Sequence, residues 1–436
     1  MNICTYVKRN CKGERTIMTT KRNIAARTVA LVMALVIALG ILSGCSAAVK
    51  DPVIAQVGSE KIYYSDYYST YNSYAMFATW MGYDVSTTEG LHKFQDYIMD
   101  MLVSSAVVLY EAKQNNITLT EEDEADIQKS IDDGIESALS GYKSKVDSSI
   151  TDENEIRNKE MELLLADLKA NGMTYDQYVA NLKESYTESK LAEKMTEQVK
   201  SAASISDDEV RAYYDEQITK QKEAYDKTPE DYYTAYDAYI KGSATVRPVY
   251  IPEGYTKVKH IPIKFPDETS ASSTPTQSDD EEEKKDVEAI AAELESKLDK
   301  DDIDIDEFNK LIEQYGEDPG MKEGSKYAEE GYLVHESIID KYYEGFAEAA
   351  LELKEVGDIS GRVETEAGYH YIMLVEKVES RTLDFDDDLA EEIHEKLLTD
   401  KENEIFNEQV KKWLEEVSVK KYPSRIRYVG TNQAGS

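Results

Sequence analysis

The sequence predicts an α+β protein of several domains: a mainly α-helical N-terminal region, a smaller α+β domain after it, and a helical C-terminal segment. Three observations predict this. Apolar residues recur at three- and four-residue steps through much of 65–224, the signature of helices with one buried face. Short alternating β-prone segments around Val258–Ile263 and Gly368–Leu374 enclose further helical patterns. Phe406, Val410, Trp413 and Leu414 then form another apolar stripe within a helical pattern that runs from Arg381 to about Val417. A length of 436 residues suits two or three domains. With 41% hydrophobic and 31% charged residues, the chain can build packed cores.

The first element is a leader. Lys21, Arg22 and Arg27 precede an apolar run, Val29–Ile41, broken only by Gly40. The run is too short for a comfortable membrane span, which needs about 20 residues, and fits the core of a signal peptide. It ends in Leu42-Ser43-Gly44-Cys45, which resembles a bacterial lipobox, whose cysteine is lipidated and becomes the first mature residue. Residues 1–44 are thus expected to be a lipoprotein signal peptide, Cys45 the lipid attachment and 45–50 a tether. Met18 serves as well as Met1 for a start, since the residues before it add nothing that a leader needs. Of the 3 cysteines, Cys4 and Cys11 are lost with the leader. Disulfides, thiol catalysis and cysteine-based zinc sites are therefore excluded.

The formal charge is −37, and the leader is basic, so the remainder is more acidic still. Such a chain is repelled by nucleic acid and by anionic head groups, which excludes nucleic-acid functions. Acidity gives solubility and can attract basic polypeptides. The aromatics are mainly tyrosine, 32 against 7 Phe and 2 Trp, which suits half-exposed helix faces and surfaces that touch other chains.

Val53–Val57 and Lys61–Tyr63 flank Gly58-Ser59 and read as a hairpin. Ser65-Asp66 opens a helical pattern. A longer one runs from Thr88 to Asn115, with Phe94, Ile98, Met101, Leu102, Ser105, Val108 and Leu109 as its stripe. Thr120 with Glu121-Glu122-Asp123 is a helix start, capped and acid-rich in the first turn. Further helices are expected over Glu124–Ser140, Asp152–Ala170, Tyr175–Ala202 and Asp207–Ala224. Residues 225–254, bearing Tyr, Pro and Gly, read as a linker. Pro266–Glu283, rich in Ser, Thr, Pro and acids, reads as a disordered acidic loop inside the next domain.

The N-terminal pattern resembles the chaperone domain of the PrsA/SurA group of folding factors. The residues that carry the resemblance are Val53-Ile54-Ala55-Gln56-Val57-Gly58 with Ile62 and Asp66, then Glu111-Ala112-Lys113, Ile117-Thr118-Leu119-Thr120 and Ile205-Ser206-Asp207-Asp208-Glu209-Val210 with Tyr213-Tyr214. The segment Tyr255–Arg381 resembles a parvulin-type domain. Its landmarks come in order: Lys257-Val258-Lys259-His260-Ile261-Pro262-Ile263; Tyr315-Gly316-Glu317-Asp318-Pro319-Gly320; Phe346-Ala347-Glu348-Ala349-Ala350-Leu351 with Gly357-Asp358-Ile359-Ser360; and Gly368-Tyr369-His370-Tyr371-Ile372. The resemblance implies a peptidyl-prolyl cis–trans isomerase and chaperone for exported proteins. Its partners would be unfolded polypeptides with X–Pro bonds, and its location the outer face of the bacterial cell membrane. It implies domains at 51–250 (helical, SurA-like, with its linker), 255–380 (parvulin-type) and 381–424 (a helix folding back on the first domain), with a tail at 425–436.

Alternation puts Val258, His260 and Pro262 on one strand face, and His370, Ile372 and Leu374 on another. If the strands are neighbours, two of the 5 histidines meet through their ring nitrogens. Such a pair fixes tautomers rather than transferring protons. The resemblance assigns His260, Asp318 and His370 to catalysis, with Asp318 as an electrostatic or hydrogen-bonding element. It assigns Leu333, Tyr342 and Phe346 to a proline pocket. The reaction needs no cofactor or metal. The family's Gly-Gly-Asp-Leu-Gly is here Glu330-Gly331-Tyr332-Leu333-Val334, which implies altered loop geometry and weak activity. No basic cluster follows His260, so selection of phosphorylated Ser/Thr-Pro sites is not expected. Two other readings stay open: a holdase with an inactive isomerase domain, and a lipid-anchored solute-binding protein, which would need two α/β lobes.

Overall fold

A computed structural model describes residues 51–430 apart from 266–278 and 300–302. The signal peptide, Cys45, the whole tether, the greater part of the acidic loop and the end of the tail lie outside the described residues. Among the described residues, no helix is long and apolar enough to cross a membrane. The chain divides into two compact units, one holding residues up to Ala203 together with Lys401 onward, the other Ser204–Asp400.

In the first unit, β1 (Val53–Val57) and β2 (Glu60–Tyr63) form the hairpin, and the C-terminal strand Val419–Lys421 pairs antiparallel with β1 on its other edge. Helix α1 (Tyr64–Ala75) follows, then α2 (Thr88–Gln114), which buries Leu91, Phe94, Ile98, Met99, Leu102, Val103 and Val107. The expected stripe is rotated. Met101, Ser105 and Leu109 are only half-buried, because the core approaches α2 from the side of Leu91, Met99 and Val103. Within this unit, Val410 and Trp413 of the helix Asp387–Glu416 are buried in the same core, with Phe406 and Leu414 packed against it. Buried Gln95 fastens the last residues, donating to the Val429 carbonyl (2.6 Å). Helices α3 (Glu121–Ser140), α4 (Glu153–Ala170) and α5 (Tyr175–Lys200) share a second core of Ile127, Ile131, Leu139, Leu164, Leu168, Tyr178 and Leu182. Threonine caps at Thr120 and Thr174 set the starts of α3 and α5.

The second unit begins with α6 (Asp207–Lys227) and α7 (Pro229–Ile240). Helix α7 corrects the expected linker over 225–254. Pro229 sits in the first turn, where its missing N–H is harmless. Tyr232, Tyr236 and Ile240 recur at four-residue steps and are buried. Residues 204–250 therefore cluster with this unit and not with the N-terminal helices. Strand β3 (Tyr250–Ile251) pairs with Arg381–Thr382.

The central sheet has the order β5-β4-β7-β6 and is antiparallel throughout. Its strands are β4 (Thr256–Lys264), β5 (Tyr332–Val334), β6 (Val363–Thr365) and β7 (Gly368–Lys377). Helices α8 (Asp279–Leu298) and α9 (Ile305–Tyr315) cover one face over Ile261, Ile263, Tyr371 and Met373. Helix α8 takes in 279–283, the end of the expected acidic loop, where acids suit a first turn and Glu is a good helix former. After α10 (Lys326–Glu330), helix α11 (Phe346–Glu352) covers part of the other face over Val258 and Ile372.

Candidate active site

Strands β4 and β7 pair with His260 opposite Ile372 and Pro262 opposite His370. The two histidines are thus diagonal neighbours on one face, within reach of long side chains. Gly368, at φ +145°, opens β7. A Cβ there would lie 2.1 Å from the Ile263 carbonyl oxygen, so only glycine lets the strand begin this close to β4. Both rings are buried and nearly parallel (5°), and their Nδ1 atoms are 3.1 Å apart.

Asp318 arrives from the turn after α9. Strand β5 pairs only with Thr256–Val258, so the rest of that edge of β4 is free of strand partners. Glu317 docks there: its N–H donates to the Pro262 carbonyl (3.1 Å) and its carboxylate accepts from the Lys264 N–H (2.6 Å). The neighbouring Asp318 then receives His260 Nε2 (2.8 Å), the Tyr332 hydroxyl (2.8 Å) and the Gly320 N–H (2.8 Å). A Cβ on Gly320 would lie 2.3 Å from the Tyr332 hydroxyl, so glycine leaves room for that bond. Burial alone would raise the Asp318 pKa, but the three donors outweigh it and hold the carboxyl down at about 2.

On the far side, Thr365 Oγ1 lies 3.0 Å from His370 Nε2. Thr365 Oγ1, which also donates to the Gly368 carbonyl (3.2 Å), His370, His260 and Asp318 thus form one continuous hydrogen-bonded row. Desolvation, helped by the adjacent His260, lowers the His370 pKa to about 4, so that ring stays neutral near pH 7.

Phe346 stands edge-on to both imidazoles, with centroids at 5.2 and 5.4 Å, and Tyr342 stacks on Phe346 at 5.4 Å. These residues, with Phe265, Tyr332 and Tyr343, line a cleft of about 1130 Å³. His260, Asp318, His370, Tyr342 and Phe346 therefore converge on one space. Leu333 does not. It is 1% exposed and packs among Tyr232, Tyr255 and Val378. The register explains the correction: Tyr332 pairs with Val258, on the imidazole face, and Leu333 with Lys257, on the opposite one. What Leu333 offers the cleft is its backbone carbonyl, which accepts from the Tyr342 hydroxyl. The sequence reading missed Thr365 and Tyr332 as partners of the row. Tyr332 lay within the departing glycine loop, and its standing where the family has Asp was the available signal. Thr365 carried none.

A family model described as a PPIC-type PPIase domain matches residues 260–376, and one described as a SurA-like N-terminal domain matches 16–192; together they span more than half of the chain. The foldase protein PrsA of Clostridium tetani is 31% identical over 142 residues, which cover 32% of this chain and 38% of that protein. The chain thus matches well under half the length of that relative. The foldase protein PrsA of Clostridium acetobutylicum is 22% identical over 331 residues, covering 76% of this chain and 74% of that one. The crystal structure of PrsA from Bacillus subtilis aligns at 16% identity over 84% of this chain and 92% of that one, with a TM-score of 0.24, too low to bear on the fold. A SurA-like N-terminal domain and a PPIC-type PPIase domain thus follow each other in this one polypeptide, which is similar to the PrsA foldases.

Proposed function

We propose that the protein is an extracytoplasmic peptidyl-prolyl cis–trans isomerase and chaperone, held at the membrane by a lipid on Cys45, that assists the folding of exported proteins. The observation that carries the enzymatic reading is the His260–His370 pair in the wall of a cleft, with Phe346 edge-on to both rings. The X–Pro bond resists rotation by about 18–20 kcal/mol through its partial double-bond character, which makes isomerisation slow enough to limit folding. No covalent step is needed. A catalyst need only favour the twisted amide over both planar forms. Phe346 and Tyr342 supply an apolar seat for a pyrrolidine ring. The paired imidazoles, held between Thr365 and Asp318, form a rigid wall that holds the bond without exchanging protons with it. The Asp318 charge shapes the field along that wall.

The rim of the cleft favours one kind of peptide. Asp340, Glu344, Glu364 and Glu366 line it, and its Lys341 is engaged by Glu230 (3.3 Å). This supports proline sites flanked by Lys or Arg over acidic or phosphorylated ones. The test is a proline-limited refolding assay on the full chain. A rate gain is expected that His260→Ala and His370→Ala both lose. Equal rates for all three proteins would leave only polypeptide binding.

A further inference from the structure

The first unit carries a surface that its core does not use. Between Asp66 and Asp84 no charged residue occurs, in a chain where 31% of residues are charged. That stretch is most of α1 and the loop after it. The helix buries Tyr67 and Tyr71 on its inner side. Tyr64, Tyr68, Asn72 and Met76 follow one another at four-residue steps on the outer side. Met76 is 80% exposed and Trp80 87%, with Phe77, Tyr63 and Tyr68 also exposed. Tyr428 extends the patch, stacked on Tyr64 at 5.5 Å.

We propose that this face seats on the lipid bilayer. The length of the tether says which surface it meets. Asp51 accepts from the Ser65 N–H (3.1 Å) and hydroxyl (2.5 Å), so the chain enters at the N-terminus of α1. Fully extended, the segment from Cys45 to Asp51 reaches about 20 Å. Helix α1, with 12 residues, is about 18 Å long. A lipid on Cys45 therefore keeps the whole of α1 within reach of the head groups, and the proposal rests on that reading of Cys45. Side-chain chemistry fits as well. Trp and Tyr favour the membrane–water interface, and a side chain as exposed as Trp80 protrudes into a fluid layer where a peptide would need a groove. Charge points the same way. The chain as a whole is repelled by anionic lipid, but screening leaves only charges within about 8–10 Å effective. A stretch such as 67–83, which holds no acid, is what such a protein can lay against a membrane.

The full chain with Cys45→Ser, and so without lipid, provides the test. Of the 2 tryptophans, Trp413 is 6% exposed, so a change in emission on binding reports Trp80. Phosphatidylcholine vesicles, with and without phosphatidylglycerol, are added, with brominated acyl chains as quenchers. The expected result is a blue shift, bromine quenching, and partition weakened about tenfold by Trp80→Ser. Asn72→Glu, which keeps the apolar side chains and adds one charge, should also weaken it. Salt should strengthen binding to the anionic vesicles, opposite to its effect on a basic surface. No response to vesicles overturns the proposal, and a response to a reduced, carboxymethylated unfolded protein instead would give the face to clients. Palmitate labelling of the wild type but not of Cys45→Ser tests the anchor separately. Its absence would end the Cys45 reading and leave the vesicle result standing.

Discussion

The two faces of the central sheet are built by the same strands and do different work. Under α8 and α9, Ile261, Ile263, Tyr371 and Met373 meet Val287, Leu294, Phe308 and Leu311 in a closed apolar layer. On the opposite face, α11 is short and covers Val258, Val334 and Ile372, and beyond it His260 and His370 open onto the cleft. Each residue of β4 and β7 differs from the next only in which way its side chain points. The sealed face can therefore hold the strands while the open face keeps two desolvated imidazoles in line. Rigidity comes from one side and chemistry from the other.

Breaking the sealed side should have the largest effect. Phe308→Ala is expected to lower stability by about 3–5 kcal/mol, read from the denaturation midpoint of the second unit, with activity per folded molecule nearly kept. Acid should act on the open side. The folded chain holds His370 near a pKa of 4 while the unfolded chain takes up that proton near 6.5. The unfolded state binds more protons in between, so stability is full above about pH 6.5 and falls towards pH 4, by about 3 kcal/mol. His260 and Asp318 face the ring through this range. Asp318, held near 2, adds a further loss only below about pH 3.8. Denaturation curves from pH 7.5 to 4 should show the first loss in the wild type and a flatter profile in His370→Gln. A flat wild-type profile would remove the desolvated imidazole from the account.

Asp318→Asn should lower isomerase activity about 100-fold in the refolding assay while stability near pH 7 changes little. A comparable loss in both readouts would mean that the carboxylate is structural. The smallest effect sharpens the comparison most. Tyr332→Phe removes one of three donors to Asp318 and should cost about 1 kcal/mol, seen as a few-fold drop in rate with the acid profile unchanged.

The faces were also unequally legible in the sequence. Alternation in Val258–Ile263 and His370–Leu374 showed which residues share a face with each histidine, while the pairing that sets His260 opposite Ile372 is what makes the two faces one. Leu333 was misplaced because its face depends on which residue of β4 it meets, and a shift of one residue reverses that. Thr365 and Tyr332 act through partners brought near only by the pairing of β6 with β7 and of β5 with β4. Helix α7 was hidden by composition: Pro, Tyr and Gly suggested a linker, while the four-residue spacing of Tyr232, Tyr236 and Ile240 was the stronger signal. The hairpin and the long helices of the first unit were plain, because caps and apolar periods there are local.

The pairing of Val419–Lys421 with β1, and of Gln95 with Val429, has a consequence for the order of assembly. A polypeptide delivered across a membrane from its N-terminus exposes β1 long before its partner strand. The first unit must then wait, with one sheet edge open, until Val419–Lys421 has emerged, while the unit between can close on its own residues. Truncation before Val419 would therefore damage the oldest part of the nascent protein and spare the unit of Ser204–Asp400.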